Sequence, residues 1–127
     1  MKTSCHIPAI ASALFAVSLV STHAQAQSAA PGYVIIEFKI KDAEGFKTYS
    51  QRAPATVSQY GGKFAVRGAK PESLKGDAPQ GGPFLVLSFE SAEQARRWAN
   101  SPEYTALVPL RDQAADTRAF IVEGSAP

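Results

Sequence analysis

Residues 98–104 have the sequence Trp-Ala-Asn-Ser-Pro-Glu-Tyr, which ends one helix and begins another within seven positions. Ser101 is a suitable N-cap, and Pro102 fits the first helical position, where the missing N–H of a proline costs nothing. Glu103 follows in the first turn, where the helix dipole favours a negative charge. This junction brings the chain's only tryptophan close to a hydroxyl, a carboxylate and a phenol.

The segments before the junction alternate between strand and helix patterns. Residues 33–40 form the strongest strand pattern, since every second side chain is apolar and the alternate side chains are mixed. Apolar residues at three- and four-residue steps predict a helix that is capped by Asp42 and ends at residues 61–62. Pro54 removes a backbone donor inside that helix and predicts a kink near Ala53.

Three strands and two helices are predicted after residue 62. Further strands are predicted at residues 63–67, 84–89 and 118–122. Ser91 begins the helix that leads to the junction, and Pro109 is expected to kink or split the helix after it. The order strand–helix–strand–strand–helix–strand is the split β-α-β arrangement, so the sequence predicts a ferredoxin-like α+β sandwich.

A sheet of this kind has helices on one face only, so its second face must be covered or polar. Strand alternation places a mixture of apolar and polar residues on that second face: Tyr33, Ile35, Glu37, Ala65, Arg67 and Ser88. An apolar surface of this kind is usually an interaction site. We therefore predict a two-fold homodimer that packs sheet on sheet.

The first 26 residues match a secretory signal peptide. Lys2 gives a positive start, residues 7–20 are an apolar run, and residues 24–26 form a small-x-small cleavage site. The run is shorter than the roughly 20 residues of a membrane span, which makes an N-terminal anchor the less favoured alternative. The protein is therefore predicted to be periplasmic or secreted, with no membrane association after cleavage following Ala26.

The predicted organisation is a signal peptide at 1–26, a flexible leader at 27–31, one domain at 32–124 and a tail at 125–127.

Cleavage changes the chemistry that is available. It removes Cys5, His6 and His23, so the mature chain has no cysteine, histidine or methionine. Disulfides, thiolate or imidazole catalysis and histidine-ligated zinc or haem are thereby excluded within one chain. Clustered carboxylates for a hard metal ion are not apparent, so neither a metal nor a cofactor is predicted. Loss of Lys2 leaves 12 Lys and Arg against 11 Asp and Glu without a basic stripe, so nucleic acid is not an expected partner.

Several pieces of the chain resemble a small bacterial family known as domain of unknown function 1330, in the dimeric α/β-barrel superfamily. The matching pieces are Asp42 with Tyr49, Gly61-Gly62, Arg67-Gly68, Phe89, Ala95 with Trp98, Ser101-Pro102-Glu103-Tyr104, Arg111 and Glu123-Gly124. They extend over residues 33–124, and Trp98 followed by residues 101–104 is the most specific of them. One departure is Lys75-Gly76, where the family more often has a glutamate before the glycine. The resemblance implies the ferredoxin-like fold and a dimer, and it implies no activity.

Seven side chains are candidates for binding a small molecule: Tyr49, Arg67, Trp98, Ser101, Glu103, Tyr104 and Arg111. Either arginine could hold a carboxylate or an enolate with its planar guanidinium. It could instead form an ion pair between subunits, or lay its apolar stem on the protein and keep its charge in water. Glu103 and Tyr104 could act as a base and a hydrogen-bond donor, although a first-turn carboxylate is also explained by the helix dipole. The aromatic candidates could line a pocket or simply fill the core.

Two classes of function remain open. The favoured one is a module that binds a small organic ligand, neutral or anionic, between the sheet and the helices. The alternative, suggested by the resemblance to the superfamily, is a cofactor-free enzyme, monooxygenase- or isomerase-like, that uses Arg, Tyr and Glu side chains in the same pocket. A pocket closed to water and lined by Arg67, Tyr104 and Arg111 would favour the enzyme, and a cavity filled by aromatic side chains would favour the module.

Overall fold

Residues 29–127 are described by a computed structural model, so the predicted signal peptide and its cleavage site lie outside the described residues. The elements, in chain order, are β1 (Gly32–Ile40), α1 (Ala43–Gln59), β2 (Lys63–Ala69), β3 (Phe84–Phe89), α2 (Ala92–Ala99), α3 (Pro102–Thr105), α4 (Val108–Ala114) and β4 (Ala115–Glu123). This order confirms the predicted ferredoxin-like α+β arrangement. No helix in this part of the chain has both the length and the hydrophobicity that are needed to span a bilayer.

The four strands form one antiparallel sheet in the order β2-β3-β1-β4. Ile36, in the middle of β1, lies opposite Leu85 of β3 and Ala119 of β4. Residues directly opposite each other in a sheet point to the same face, so the three side chains lie on the helix-covered side. Ile35 lies between Val86 and Phe120 in the same way and points to the uncovered side.

The core lies between the helices and the first of these faces. It is built from side chains that are at most 5 % exposed: Val34, Ile36, Phe38, Tyr49, Val57, Leu87, Phe89, Ala95, Trp98, Tyr104 and Ala115. Burying one large apolar side chain contributes about 1.5–3 kcal/mol. The helices are therefore held mainly by the alternate apolar residues of β1 and β3.

The predicted helix boundaries agree with the structure. Asp42 accepts a hydrogen bond from the N–H of Glu44, and Ser91 accepts one from Gln94. Helix α1 continues through Pro54 as a single element. The segment after the junction is split into α3 and α4, and Pro109 lies in the first turn of α4, where it breaks no helical hydrogen bond.

Strand β2 differs from the prediction because its pairing with β3 is irregular. Phe64 lies opposite Leu87, but Val66 lies opposite Val86, so the residue between them is an extra one in a β-bulge. The bulge reverses the alternation from that point. Val66 therefore points to the uncovered face, and Arg67, opposite Leu85, points to the helix side. The prediction that Arg67 lies on the uncovered face, with Phe64 and Val66 sharing the other, was wrong.

Two further strand predictions needed correction. The last strand begins three residues earlier than expected, at Ala115, because it continues the pairing with β1 to Ile40. The brief extended piece proposed within residues 72–74 is not a strand; residues 70–83 form an irregular connection between β2 and β3. Leu74, in this connection, is fully exposed.

The uncovered face of the sheet is mixed, as predicted, and one row across all four strands is wholly apolar: Val66, Val86, Ile35 and Phe120. The members of the face, placed by their register, are Tyr33, Ile35, Glu37, Lys39, Lys63, Val66, Ala69, Phe84, Val86, Ser88, Asp116, Arg118, Phe120 and Val122. Phe120 and Val122 are 44 % and 43 % exposed. Glu37 and Arg118 lie opposite each other and form an ion pair at 3.3 Å across the two strands.

Candidate functional site

A cavity lies between α1 and the β2–β3 half of the sheet, and we call it the α1–sheet cavity. Its volume is about 310 Å³, and it opens to the surface. Most of its walls are apolar or aromatic and include Phe38, Tyr49, Phe64, Leu85, Leu87 and Trp98. A concave, mainly apolar space of this size is at the lower end of the range for small-molecule sites.

Among residues 29–127, Arg67 is the only charged residue that lines the α1–sheet cavity. Its guanidinium carbon lies 4.5 Å from the centroid of the Phe64 ring, a distance at which the cation is attracted to the ring face. None of the ion pairs within residues 29–127 involves Arg67. The cavity therefore has one cationic group, held against one of its own aromatic walls and open to solvent.

Trp98 forms part of the cavity wall and also belongs to the core. Its indole Nε1 donates a hydrogen bond to Thr56 Oγ1 at 3.0 Å. Thr56 in turn donates to the carbonyl oxygen of Ala53 at 2.7 Å. The indole ring lies 4.1 Å from the centroid of Tyr104 and 5.7 Å from that of Phe89. These contacts fix the tryptophan ring, so the cavity wall that it forms is preorganised.

Tyr104 and Arg111 form a separate cluster behind that wall. Arg111 Nη1 donates to Tyr104 Oη at 2.8 Å, and its Nε and Nη2 each lie 2.8 Å from the carboxylate of Asp112. Burial alone would lower the pKa of Arg111, but Tyr104 and Asp112 together raise it. Neither Tyr104 nor Arg111 lines the α1–sheet cavity.

Tyr49 connects the two regions, since it lines the cavity and neighbours Tyr104. Burial raises the pKa of Tyr49 far above its ordinary value, and the proximity of Tyr104 adds to the effect. The phenol therefore stays protonated at every pH at which the protein would work. A phenol whose pKa is raised in this way does not supply a base.

Ser101 and Glu103 form hydrogen bonds that stabilise the helix junction at residues 98–104. Ser101 Oγ accepts the N–H of Tyr104 at 3.2 Å and donates to the carbonyl oxygen of Trp98 at 2.7 Å. Glu103 accepts hydrogen bonds from Tyr60 Oη at 2.8 Å and Gln59 Nε2 at 3.2 Å. A hydrogen bond from its own backbone N–H and the one from Tyr60 lower the pKa of Glu103, while the same contact raises the pKa of Tyr60. Neither Ser101 nor Glu103 lines the cavity.

The structure therefore brings together three of the seven candidates, Tyr49, Arg67 and Trp98, and places the other four outside the cavity. Reasoning from sequence missed Phe64 and Leu85 as wall residues. The alternation of apolar residues in β2 and β3 marks both as strand residues. Which of them face the cavity depends on the register between the two strands, which the sequence does not show. Within residues 29–127, no three carboxylates come together as they would around a metal ion.

Comparisons with known proteins give the family and the fold. The family model described as "Domain of unknown function (DUF1330)" matches residues 31–125. A comparison with curated proteins found no match. A protein of unknown function from Rhodopseudomonas palustris has a similar structure, with a TM-score of 0.60 at 19% identity, over 77% of this chain and 85% of that one.

Two other solved structures share the fold at lower identity. SnoaB, a cofactor-independent oxygenase from Streptomyces nogalater, superposes with a TM-score of 0.55 at 10% identity, over 77% of this chain and 96% of that one. A protein from Mycobacterium tuberculosis gives 0.51 at 14% identity, over 77% and 98%. These likenesses establish the ferredoxin-like fold of the α/β-barrel type. Because the family model covers nearly all of the described domain, the chain belongs to the DUF1330 family.

Proposed function

We propose that this protein is an exported homodimer that binds a small, mainly apolar organic ligand in the α1–sheet cavity. The observation that carries the proposal is a cavity of about 310 Å³ with aromatic and aliphatic walls that opens to the surface. The hydrogen bond from Trp98 to Thr56 holds one wall in place before any ligand arrives. A preformed apolar site loses little conformational entropy on binding.

A binding module fits the geometry better than the alternative, a cofactor-free monooxygenase- or isomerase-like enzyme. That enzyme was expected to use Arg, Tyr and Glu side chains in one pocket. Glu103 is instead held by Tyr60 and Gln59, and Arg111 by Tyr104 and Asp112. SnoaB is a cofactor-independent oxygenase, but at 10% identity the likeness concerns the fold and carries no activity to this chain.

Support for a homodimer comes from the uncovered face of the sheet. Eight of its fourteen members are apolar or aromatic, and Phe120 and Val122 are each more than 40 % exposed. A contiguous apolar face of this kind is unfavourable in water and is typical of an interface. A two-fold partner presenting the same face covers it in both subunits.

Support for export comes from the amino-terminal sequence. The apolar run at residues 7–20 and the cleavage site at 24–26 have the spacing of a secretory signal. We expect mature protein recovered from the periplasm or the medium to begin at Gln27. Mature material that retains Met1 would contradict export.

The ligand proposal is tested by native mass spectrometry and by a probe of the cavity. The mature protein purified without denaturation is expected to retain a small organic molecule, or to bind 2-naphthalenemethanol with chemical-shift changes at Trp98. Ala53→Trp fills the cavity and should abolish both effects, because Ala53 lines it. Ala55→Trp is the matched control on the exposed side of α1 and should leave both unchanged. Absence of both effects in the unmodified protein would refute the proposal.

A further inference from the structure

The cavity's one charged wall residue is placed by an irregularity in the backbone. In regular alternation, Arg67 would point away from the helices. The bulge between Phe64 and Val66 turns it inward, and a second irregularity after Arg67 includes Gly68, whose φ is +68°. Glycine adopts this conformation at no steric cost, whereas other residues are strained in it. The bulge that precedes Arg67 thus directs its side chain to the cavity side of the sheet, and the irregularity at Gly68 follows it.

The guanidinium of Arg67 determines which chemical groups of a ligand this residue can bind. A guanidinium is permanently charged and carries five N–H donors in a planar fork that matches a carboxylate. Its stacking on Phe64 restrains the side chain while leaving the outer edge of the fork available. Ser50, a hydroxyl residue on the opposite wall, donates its own hydrogen bond to the carbonyl oxygen of Lys47. Arg67 is therefore the main polar feature that a ligand meets.

The position of the charged residue within the cavity indicates how an acidic ligand would be oriented there. Arg67 is exposed, and Trp98 is only 2 % exposed, so the charge lies at the open side and the aromatic wall lies deep. An acidic group placed deep in apolar surroundings would lose its hydration without a partner. The same group at the mouth keeps water on one side and gains the guanidinium on the other. A single cation also balances one negative charge, not two.

We infer that Arg67 makes the α1–sheet cavity selective for a monocarboxylic acid with an apolar ring or chain, whose carboxylate lies at the β2 edge and whose apolar part points toward Trp98. This inference rests on the proposed ligand-binding function and adds the ligand class and the residue that selects it. Arg67 thereby acts as a specificity determinant. The other candidate arginine, Arg111, has no part in it, since it lies outside the cavity.

The test compares two probes of nearly equal shape, 2-naphthoate and the neutral 2-naphthalenemethanol, by calorimetric titration of the mature protein. A charge-assisted hydrogen-bonded pair predicts that the carboxylate binds about tenfold more tightly at low salt. Arg67→Gln should remove this difference and leave the affinity for the alcohol unchanged. Arg67→Lys, which keeps the charge and loses the fork, should retain part of it. Arg52→Gln, an exposed arginine on α1 outside the cavity, is the control and should bind both probes like the unmodified protein.

A salt series provides an independent readout. Raising the ionic strength from about 0.02 to 0.3 M should weaken binding of the carboxylate several-fold, because the Debye length shrinks, and should leave the alcohol unaffected. If both probes bind equally, or if Arg67→Gln leaves their ratio unchanged, the selectivity is refuted while the proposed binding function stands. If neither probe binds, the proposed function itself fails, and the selectivity fails with it. Because the alcohol reports on the cavity directly, loss of its binding in Arg67→Gln would show a structural role for Arg67 and would also refute the inference.

Discussion

Arg111 Nη1 donates a hydrogen bond to Tyr104 Oη at 2.8 Å, although the two residues are seven positions apart. In one straight helix that separation is about 10 Å along the axis. The contact exists because the chain is divided into α3 and α4 between the two residues, with Pro109 in the first turn of the second helix. The side chain of Arg111 is only 16% exposed. Its hydrogen bond to Tyr104 connects α4 to the helix junction.

The first prediction follows from this contact. Arg111→Ala should lower the free energy of unfolding by about 1.5–3 kcal/mol, the usual cost of losing a hydrogen bond that involves a charged group. Affinity for a ligand in the α1–sheet cavity should stay the same, because Arg111 is not part of its wall. Urea denaturation and a binding titration on one sample measure both effects. An unchanged denaturation midpoint with lost binding would mean that Arg111 belongs to the site after all.

The second prediction concerns acid stability. The folded state holds the pKa of Glu103 below its ordinary value of about 4.3. The stabilisation is therefore complete above that ordinary value and is lost as the pH falls through the lower, folded-state pKa. Glu103→Gln should flatten the decline of the melting temperature below about pH 5, compared with the unmodified protein. Tyr60→Phe should flatten it partly, since it removes one of the donors to Glu103. Parallel pH profiles for all three proteins would contradict this account.

The third prediction compares two neighbouring glycines at the end of α1. A methyl group at Gly62 would lie 2.6 Å from the Phe89 ring and 2.7 Å from Val57, so Gly62→Ala forces core side chains to move. At Gly61 nothing lies within 4 Å, but φ is +74°. We expect Gly62→Ala to cost about 1–3 kcal/mol through overpacking, and Gly61→Ala about 1 kcal/mol through backbone strain. Thermal denaturation compares the two variants, and a larger loss for Gly61→Ala than for Gly62→Ala would count against the packing described around Phe89.

The fourth prediction concerns the proposed homodimer. Ile35 lies between Val86 and Phe120 on the uncovered face, so Ile35→Lys puts a charge at the centre of the proposed interface. Lys39 lies at the charged end of the same face, opposite Asp116, and is already exposed, so it serves as the comparison. Ile35→Lys should shift sedimentation at micromolar concentration toward the monomer, and Lys39→Glu should shift it much less. A monomeric unmodified protein at that concentration would refute the dimer.

Features governed by local chemistry were predictable from the sequence. Asp42, Ser91 and Ser101 cap their helices as expected, since a cap depends only on residues two or three positions away. The ion pair of Glu93 and Arg97, 2.7 Å apart at i, i+4 spacing, is local in the same sense. The order of strands and helices followed from hydrophobic periodicity in the same local way.

Features that depend on distant parts of the chain were not predictable. The face on which Arg67 lies is set by a bulge against β3, and no signal in residues 63–69 reveals it. The donors to Glu103, Tyr60 and Gln59, are more than 40 positions away in the sequence. The α1–sheet cavity also requires a helix and two strands to meet, so only three of its wall residues were among the candidates.

The two irregularities in β2 have a consequence for self-association. This strand forms one border of the sheet, where unpaired backbone groups are a template for strands from other molecules. Because β2 is irregular at two places, its outer edge is twisted and does not match a regular extended chain. Only short stretches of its backbone N–H and C=O groups are spaced for strand pairing. Growth by side-by-side addition of strands is thereby discouraged at this border. The bulge that turns Arg67 inward therefore also shortens the regular edge that β2 offers to strands of other molecules.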